Sequence, residues 1–112
     1  MQREQLTRLE QLPNVGPAIA KSLRRLGIHT PRQLMGQDPY YMYEQLWELD
    51  GKRPDPGVLD VFISTVRFMA GEPGQRCWKY TEERKRELAA RRQAANSGIY
   101  GPMANEPGRE AR

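Results

Sequence analysis

The sequence predicts an all-α chain built as a single small helical domain. Apolar residues recur at helical spacings over most of the first 70 positions. Thr30-Pro31, Asp38-Pro39 and Asp55-Pro56 each place a capping residue directly before a proline, the start signal of a helix. No two segments alternate in a way that would let strands pair. Val58–Met69 is rich in sheet-favouring residues, yet Val58, Phe62 and Val66 fall at i, i+4 and i+8, and no partner strand exists.

Taken in order, Leu6, Leu9 and Leu12 predict a short helix over 3–11 that buries one stripe. Pro13 ends it. A second helix runs from about Pro17 to Leu26, with Ile19, Leu23 and Leu26 as its apolar face and Gly27 just past its end. Thr30-Pro31 opens a third, short helix with Leu34 and Met35. Asp38-Pro39 opens a fourth carrying Met42, Tyr43, Leu46, Trp47 and Leu49, ending near Gly51. Asp55-Pro56 opens the fifth, whose Val58, Leu59, Phe62, Ile63, Val66 and Met69 make it the most buried. Gly71-Glu72-Pro73-Gly74 is a breaker cluster. Thr81 then caps a basic helix to about Ala95, supported by Glu82–Arg86 and Glu87–Arg91 pairs. The resulting organisation is a helical domain over 1–72, a linker and basic C-terminal helix over 73–95, and a disordered tail over 96–112.

Composition removes several classes of function. With 112 residues, 38% of them hydrophobic, and a mean hydropathy of −0.84, a small core is possible but a two-lobed enzyme cleft is not. One cysteine, Cys77, and one histidine, His29, allow neither an internal disulfide nor a zinc ligand set. No cofactor, metal or small-molecule substrate is expected. The lone thiol and the polar start Met-Gln-Arg-Glu-Gln suit a cytoplasmic protein without a signal peptide. The longest apolar stretch, 58–70, is interrupted by Asp60, Ser64, Thr65 and Arg67, so no membrane span is expected. Glu44 and Glu48 are an i, i+4 carboxylate pair, but nothing positions a nucleophile beside them, and the chain reads as a non-enzyme.

Charge is segregated. Residues 1–35 hold six Lys/Arg against two acids, 36–75 hold three against seven, and 76–112 hold nine against five. Basic ends around an acidic middle point to a polyanion contact at one edge. In the acidic segment Tyr43 and Trp47 read as core, with Tyr40 or Tyr41 exposed. Trp78 and Tyr80 lie among Arg76, Lys79 and Arg84, where base stacking and covering a core edge are both open.

The informative run is Leu12-Pro13-Asn14-Val15-Gly16-Pro17-Ala18-Ile19-Ala20. Two helices reversing within about three residues need unusual backbone angles, which Asn14 and Gly16 tolerate best. Val15 can plug the space between the arms, and Ala20 is small where they cross. The first N–H groups of the Pro17 helix lack internal partners and sit at the positive end of its dipole, where phosphate oxygens can satisfy them. Lys21 follows one turn on, and Arg24 and Arg25 end the helix.

These residues resemble the helix-hairpin-helix family, whose hairpin typically reads Leu-Pro-Gly-Val-Gly-Pro; Asn14 replaces its first glycine. The resemblance implies that the amides around Val15, Gly16 and Ala18 approach phosphate with Lys21 assisting. Leu-Arg-Arg-Leu-Gly-Ile (23–28), Gln-Asp-Pro (37–39), Tyr-Glu-Gln-Leu (43–46) and Asp-Pro-Gly-Val-Leu-Asp-Val-Phe (55–62) are similar to the small bacterial "pathogenicity locus" proteins, some labelled as mitomycin-resistance proteins. More loosely the chain resembles the SAM-like C-terminal domain of TfoX-type competence regulators. The pathogenicity-locus proteins often carry a cysteine where this chain has Gly57, so no thiol role carries over.

The resulting expectation is a non-sequence-specific DNA-binding protein, in DNA repair, uptake or protection, whose phosphate contacts are Asn14, Val15, Gly16, Ala18, Lys21, Arg24 and Arg25. A protein-interaction or dimerisation module is the alternative, using the hairpin or the acidic face 38–60, and RNA is a further rival ligand. A single hairpin binds weakly, which favours a homodimer or a partner bearing a second one.

Overall fold

A computed structural model describes residues 2–96 of the chain, without the side chain of Asn96. The tail expected to be disordered, 96–112, lies outside the described residues apart from the backbone of Asn96. Among the described residues the architecture is all-α: helices α1 (Pro17–Arg25), α2 (Pro39–Asp50), α3 (Pro56–Met69) and α4 (Thr81–Asn96), with short 3₁₀ turns before α1, between α1 and α2, and between α3 and α4. Residues up to Thr81 form one unit, and a second begins at Glu82.

The first expected helix is absent. Residues 3–11 instead make two separate 3₁₀ turns, Arg3–Gln5 and Leu9–Gln11. A spacing of three without any i+4 partner is the 3₁₀ period, not the α period. The Gln11 carboxamide oxygen also accepts the N–H groups of Thr7 (3.0 Å) and Arg8 (2.9 Å), starting a fresh turn where a continuous helix would have run through. Leu9 and Leu12 are buried, while Leu6 is half-buried. The Thr30-Pro31 start likewise gives a 3₁₀ turn, Pro31–Leu34, whose Gln33 accepts from the His29 and Thr30 N–H groups. Leu34 is buried beneath it and Met35 is exposed.

α1 ends as expected. Gly27 is left-handed (φ 85°), its N–H donates to Arg24, and the Ile28 N–H donates to Leu23, the paired closure of a Schellman motif. Ile28 is buried behind it. Ala20 and Leu23 carry the buried face of α1. Ile19 and Leu26 are only half-buried.

α2 and α3 pack on each other and hold most of the core. Asp38 and Asp55 cap them by accepting the N–H groups of Tyr40 and Gly57. Tyr40, Met42, Tyr43 and Leu46 are buried on α2, and Leu59, Val61, Phe62, Ile63 and Met69 on α3. Ser64 and Thr65 are buried too, their hydroxyls donating to the Val61 and Phe62 carbonyls, so no polar atom there is left unmet. Trp47 and Leu49 do not join this core: Trp47 is 44% exposed and Leu49 54%. The buried stripe of α2 is narrower than the sequence pattern, because the helix meets its neighbour along one line and Trp47 lies one residue, about 100°, past Leu46.

The chain ends of this unit are laced to α3. The Arg3 guanidinium donates to the Phe68 and Glu72 carbonyls (2.6 Å each) and lies over the Phe68 ring, neutralising the negative end of the helix. Tyr80 is buried, and the Thr81 hydroxyl donates to the buried Asp60 carboxylate at 2.7 Å. Within α4, Glu87 and Arg91 pair at 2.8 Å as expected; Glu82 meets Lys85 instead of Arg86.

Candidate nucleic-acid interface

The turn Leu12–Gly16 closes with the Val15 N–H donating to the Leu12 carbonyl at 3.3 Å. Val15 is buried and does plug the space beneath the turn. Asn14 takes the left-handed backbone expected of it, φ 68°. Gly16 does not: at φ −100°, ψ −171° it is extended, a conformation open to any residue, and a Cβ placed on it would meet nothing within 4 Å. One left-handed residue is enough to reverse the chain because the first arm is a short 3₁₀ turn.

Gly16 is instead the N-cap of α1, and Pro17 its first helical residue. That fixes which amides remain open. The Val15 N–H, expected at phosphate, is consumed inside the turn, and proline has none. Ala18 and Ile19 are the second and third helical positions, too early for an i−4 acceptor. Among the described residues the N–H groups of Gly16, Ala18 and Ile19 have no protein partner. Ile19 was not among the sequence candidates; the Gly16-Pro17 start could have identified it, since it places N2 and N3 at 18 and 19. Gly16 offers no side chain to fill the place where a capping oxygen would sit.

Asn14 has a second task. Its side-chain amide donates to the Ser64 hydroxyl (3.2 Å) on α3 and to the Gln75 carbonyl (2.6 Å) in the loop after α3. The side chain therefore works inside the protein, tying the turn to two distant segments. Gly74 completes the clasp, because a Cβ there would stand 3.0 Å from the Pro13 Cγ. Pro13, Asn14, Gly74, Gln75 and Arg76 line a shallow open groove beside the turn.

The basic candidates divide. Lys21 is exposed, about 6 Å along the helix from Pro17, and among the described residues it has no acidic partner. Arg24 meets Glu10 at 3.2 Å and Arg25 meets Asp50 at 2.7 Å, both in the last turn of α1. The Glu10 backbone amide and then Arg24 hold its carboxyl below the usual carboxylate range. The structure thus groups Gly16, Ala18, Ile19 and Lys21 at one end of α1, with two partly neutralised arginines at the other.

The aromatics also divide. Tyr43 is buried, donates to the Pro54 carbonyl, and meets the half-exposed Trp47 edge-on at 6.3 Å. Tyr80 covers the core edge: Arg67 lies 5.8 Å from its ring centroid, and its hydroxyl is shared with Glu72 and Gln75. Burial and then the nearby Glu72 charge push its phenol pKa up. Trp78, two residues earlier, is 63% exposed, with the Lys79 ammonium 5.1 Å from its ring centroid. Among the described residues no cluster of three His, Cys, Asp or Glu side chains is placed to hold a metal, and no helix is long and apolar enough to cross a membrane.

Fold and site together define a small all-α protein that presents the open N-terminus of a helix at a tight turn. By comparison with known proteins, the chain belongs to the pathogenicity locus family, whose model matches residues 2–86. It is also similar to the mitomycin resistance protein McrB of Streptomyces lavendulae, 39% identical over 93 residues that cover 83% of this chain and 89% of that protein. No solved structure matches it.

Proposed function

We propose that this protein binds the phosphate backbone of DNA without reading its sequence, through the turn Asn14–Ala18 and the first turn of α1, in a helix-hairpin-helix-like manner. The observation that carries the reading is the set of three unengaged N–H groups, Gly16, Ala18 and Ile19, at the positive end of a helix with exposed Lys21 one turn away. Such contacts position a protein on the backbone and carry no base information. The acidic residues of α2 would repel phosphate, which confines binding to the α1 edge. The test is fluorescence anisotropy on random-sequence duplex DNA. Affinity should be independent of sequence and fall linearly with the logarithm of salt. Absence of binding at low salt would sink the reading.

The name of the Streptomyces relative adds a cellular expectation. Expression of this chain should raise the tolerance of a sensitive host to mitomycin, and Lys21→Ala should reduce that gain if backbone binding underlies it. A second reading is favoured by the exposed Tyr41, Trp47 and Leu49 of α2, apolar side chains set among acids. They would dock a protein partner or a second copy. Sedimentation of wild type against Trp47→Glu separates this reading from the first, because DNA affinity should not change with α2.

A further inference from the structure

We infer that Trp78 is a stacking platform for an unpaired base of a DNA strand whose phosphates are held at the hairpin, so that single-stranded or locally opened DNA is preferred over blunt duplex. The inference rests on the backbone-binding reading and extends it to the form of DNA recognised.

Trp78 is the most exposed large apolar residue among those described, at 63%. An indole left in water forgoes burial worth about 1.5–3 kcal/mol for a large side chain, yet Tyr80 two positions on is drawn fully into the core. Its surroundings suit a nucleic-acid strand. The Lys79 ammonium stands 5.1 Å from the ring centroid, Arg76 is exposed, and residues 73–81 contain no acid. Alternating aromatic and cationic side chains are the pattern by which proteins stack bases while holding the intervening phosphates.

The position of the platform is fixed relative to the hairpin. The Asn14 amide holds the Gln75 carbonyl at 2.6 Å, Gly74 lies against Pro13, and Arg76 lines the same groove as Pro13 and Asn14. Trp78 lies two positions after Arg76, a span of at most about 7 Å, or about two steps of a strand rising roughly 3.4 Å per nucleotide. Downstream, the buried Tyr80 anchors the segment through Glu72 and Gln75. A strand leaving the hairpin along this groove therefore reaches an indole held from both sides.

The chain has two tryptophans, so Trp47→Phe leaves Trp78 as the sole indole reporter. In that full-length variant, oligo-dT should quench the emission, whereas blunt duplex should not. In anisotropy, Trp78→Ala should weaken oligo-dT binding about tenfold, in line with stacking worth roughly 1–3 kcal/mol per base. Duplex affinity should change less than twofold, and Trp78→Phe should recover most of the loss. If Trp78→Ala affects neither probe, or both equally, while Lys21→Ala weakens both, the inference falls and the backbone reading stands. If wild type binds neither probe, both fall. Should Trp78→Ala fail to fold, the quenching measurement decides alone, and an unchanged spectrum at saturating oligo-dT overturns the inference.

Discussion

The α2–α3 pair and the hairpin are built on different principles. The pair is held by apolar side chains: Met42, Leu46, Leu59, Phe62 and Ile63 are all within 3% of complete burial, and the buried Ser64 and Thr65 hydroxyls are satisfied within α3. The hairpin buries less. Its arms are one 3₁₀ turn and a nine-residue helix, and it is fixed by directional contacts: the Asn14 amide, the Arg24–Glu10 pair and the Gly27 closure. The difference teaches that the seat of stability and the proposed anion site are separate parts of the molecule. One region excludes water, and the other holds three amides open to it.

The sharpest attempt to break that comparison is in the core. Phe62 is fully buried, and Phe62→Ala should cost about 3–5 kcal/mol, measured by urea denaturation. A loss below about 1 kcal/mol would show that the pair is not the seat of stability. Asn14→Ala comes next. It removes two hydrogen bonds and strains a left-handed position, at roughly 1–3 kcal/mol, and it should unsettle the groove while leaving the α2–α3 pair protected in hydrogen exchange.

The remaining variants act on binding. Lys21→Ala should leave the melting temperature unchanged and lower the salt slope of DNA binding by about 1. Glu10→Gln should do the opposite by releasing Arg24, strengthening binding by the increment of about one phosphate contact. Because the Glu10 carboxyl is held low in the folded state, the pairing supports the fold at neutral pH and its contribution fades as pH falls through that lowered value. The smallest effect has opposite signs in the two measurements. Gly16→Ser supplies the missing cap at a site with room for a Cβ, so stability should rise by about 0.3 kcal/mol. The new hydroxyl would occupy the open amides, so DNA affinity should fall. A variant that loses both would tie the two properties together.

Most of the fold was legible in the sequence because capping signals act locally. Asp38-Pro39, Asp55-Pro56 and Gly27 each work within one turn, and all three do what their chemistry dictates. The first arm was misread because Leu6, Leu9 and Leu12 satisfy a three-residue period that belongs to 3₁₀ structure. Trp47 was misread because an apolar side chain at helical spacing does not reveal how wide a face its neighbour can cover. At the site, Asn14, Val15 and Ala20 were readable from turn geometry. Gly16 was given a backbone angle it does not need, and Ile19 was passed over. The pairing of Asn14 with Gln75, 61 positions apart, has no local signature, and with it the placement of Gln75 and Arg76 beside the hairpin was out of reach.

The clasps carry a consequence for the order in which the molecule forms. Arg3 bonds to carbonyls 65 and 69 residues away, and Asn14 to one 61 residues away. On a chain emerging at about 5–20 residues per second, these partners arrive roughly 3–14 s after the segments that await them. α1 can wind early from its own caps, but the turn that aims its amides is locked only when the loop after α3 has been made. Non-local closures of this kind come late in folding. Nascent chains that end before Gln75 thus possess the hairpin sequence without its fixed orientation, and the proposed site takes its final geometry in one of the last steps of assembly.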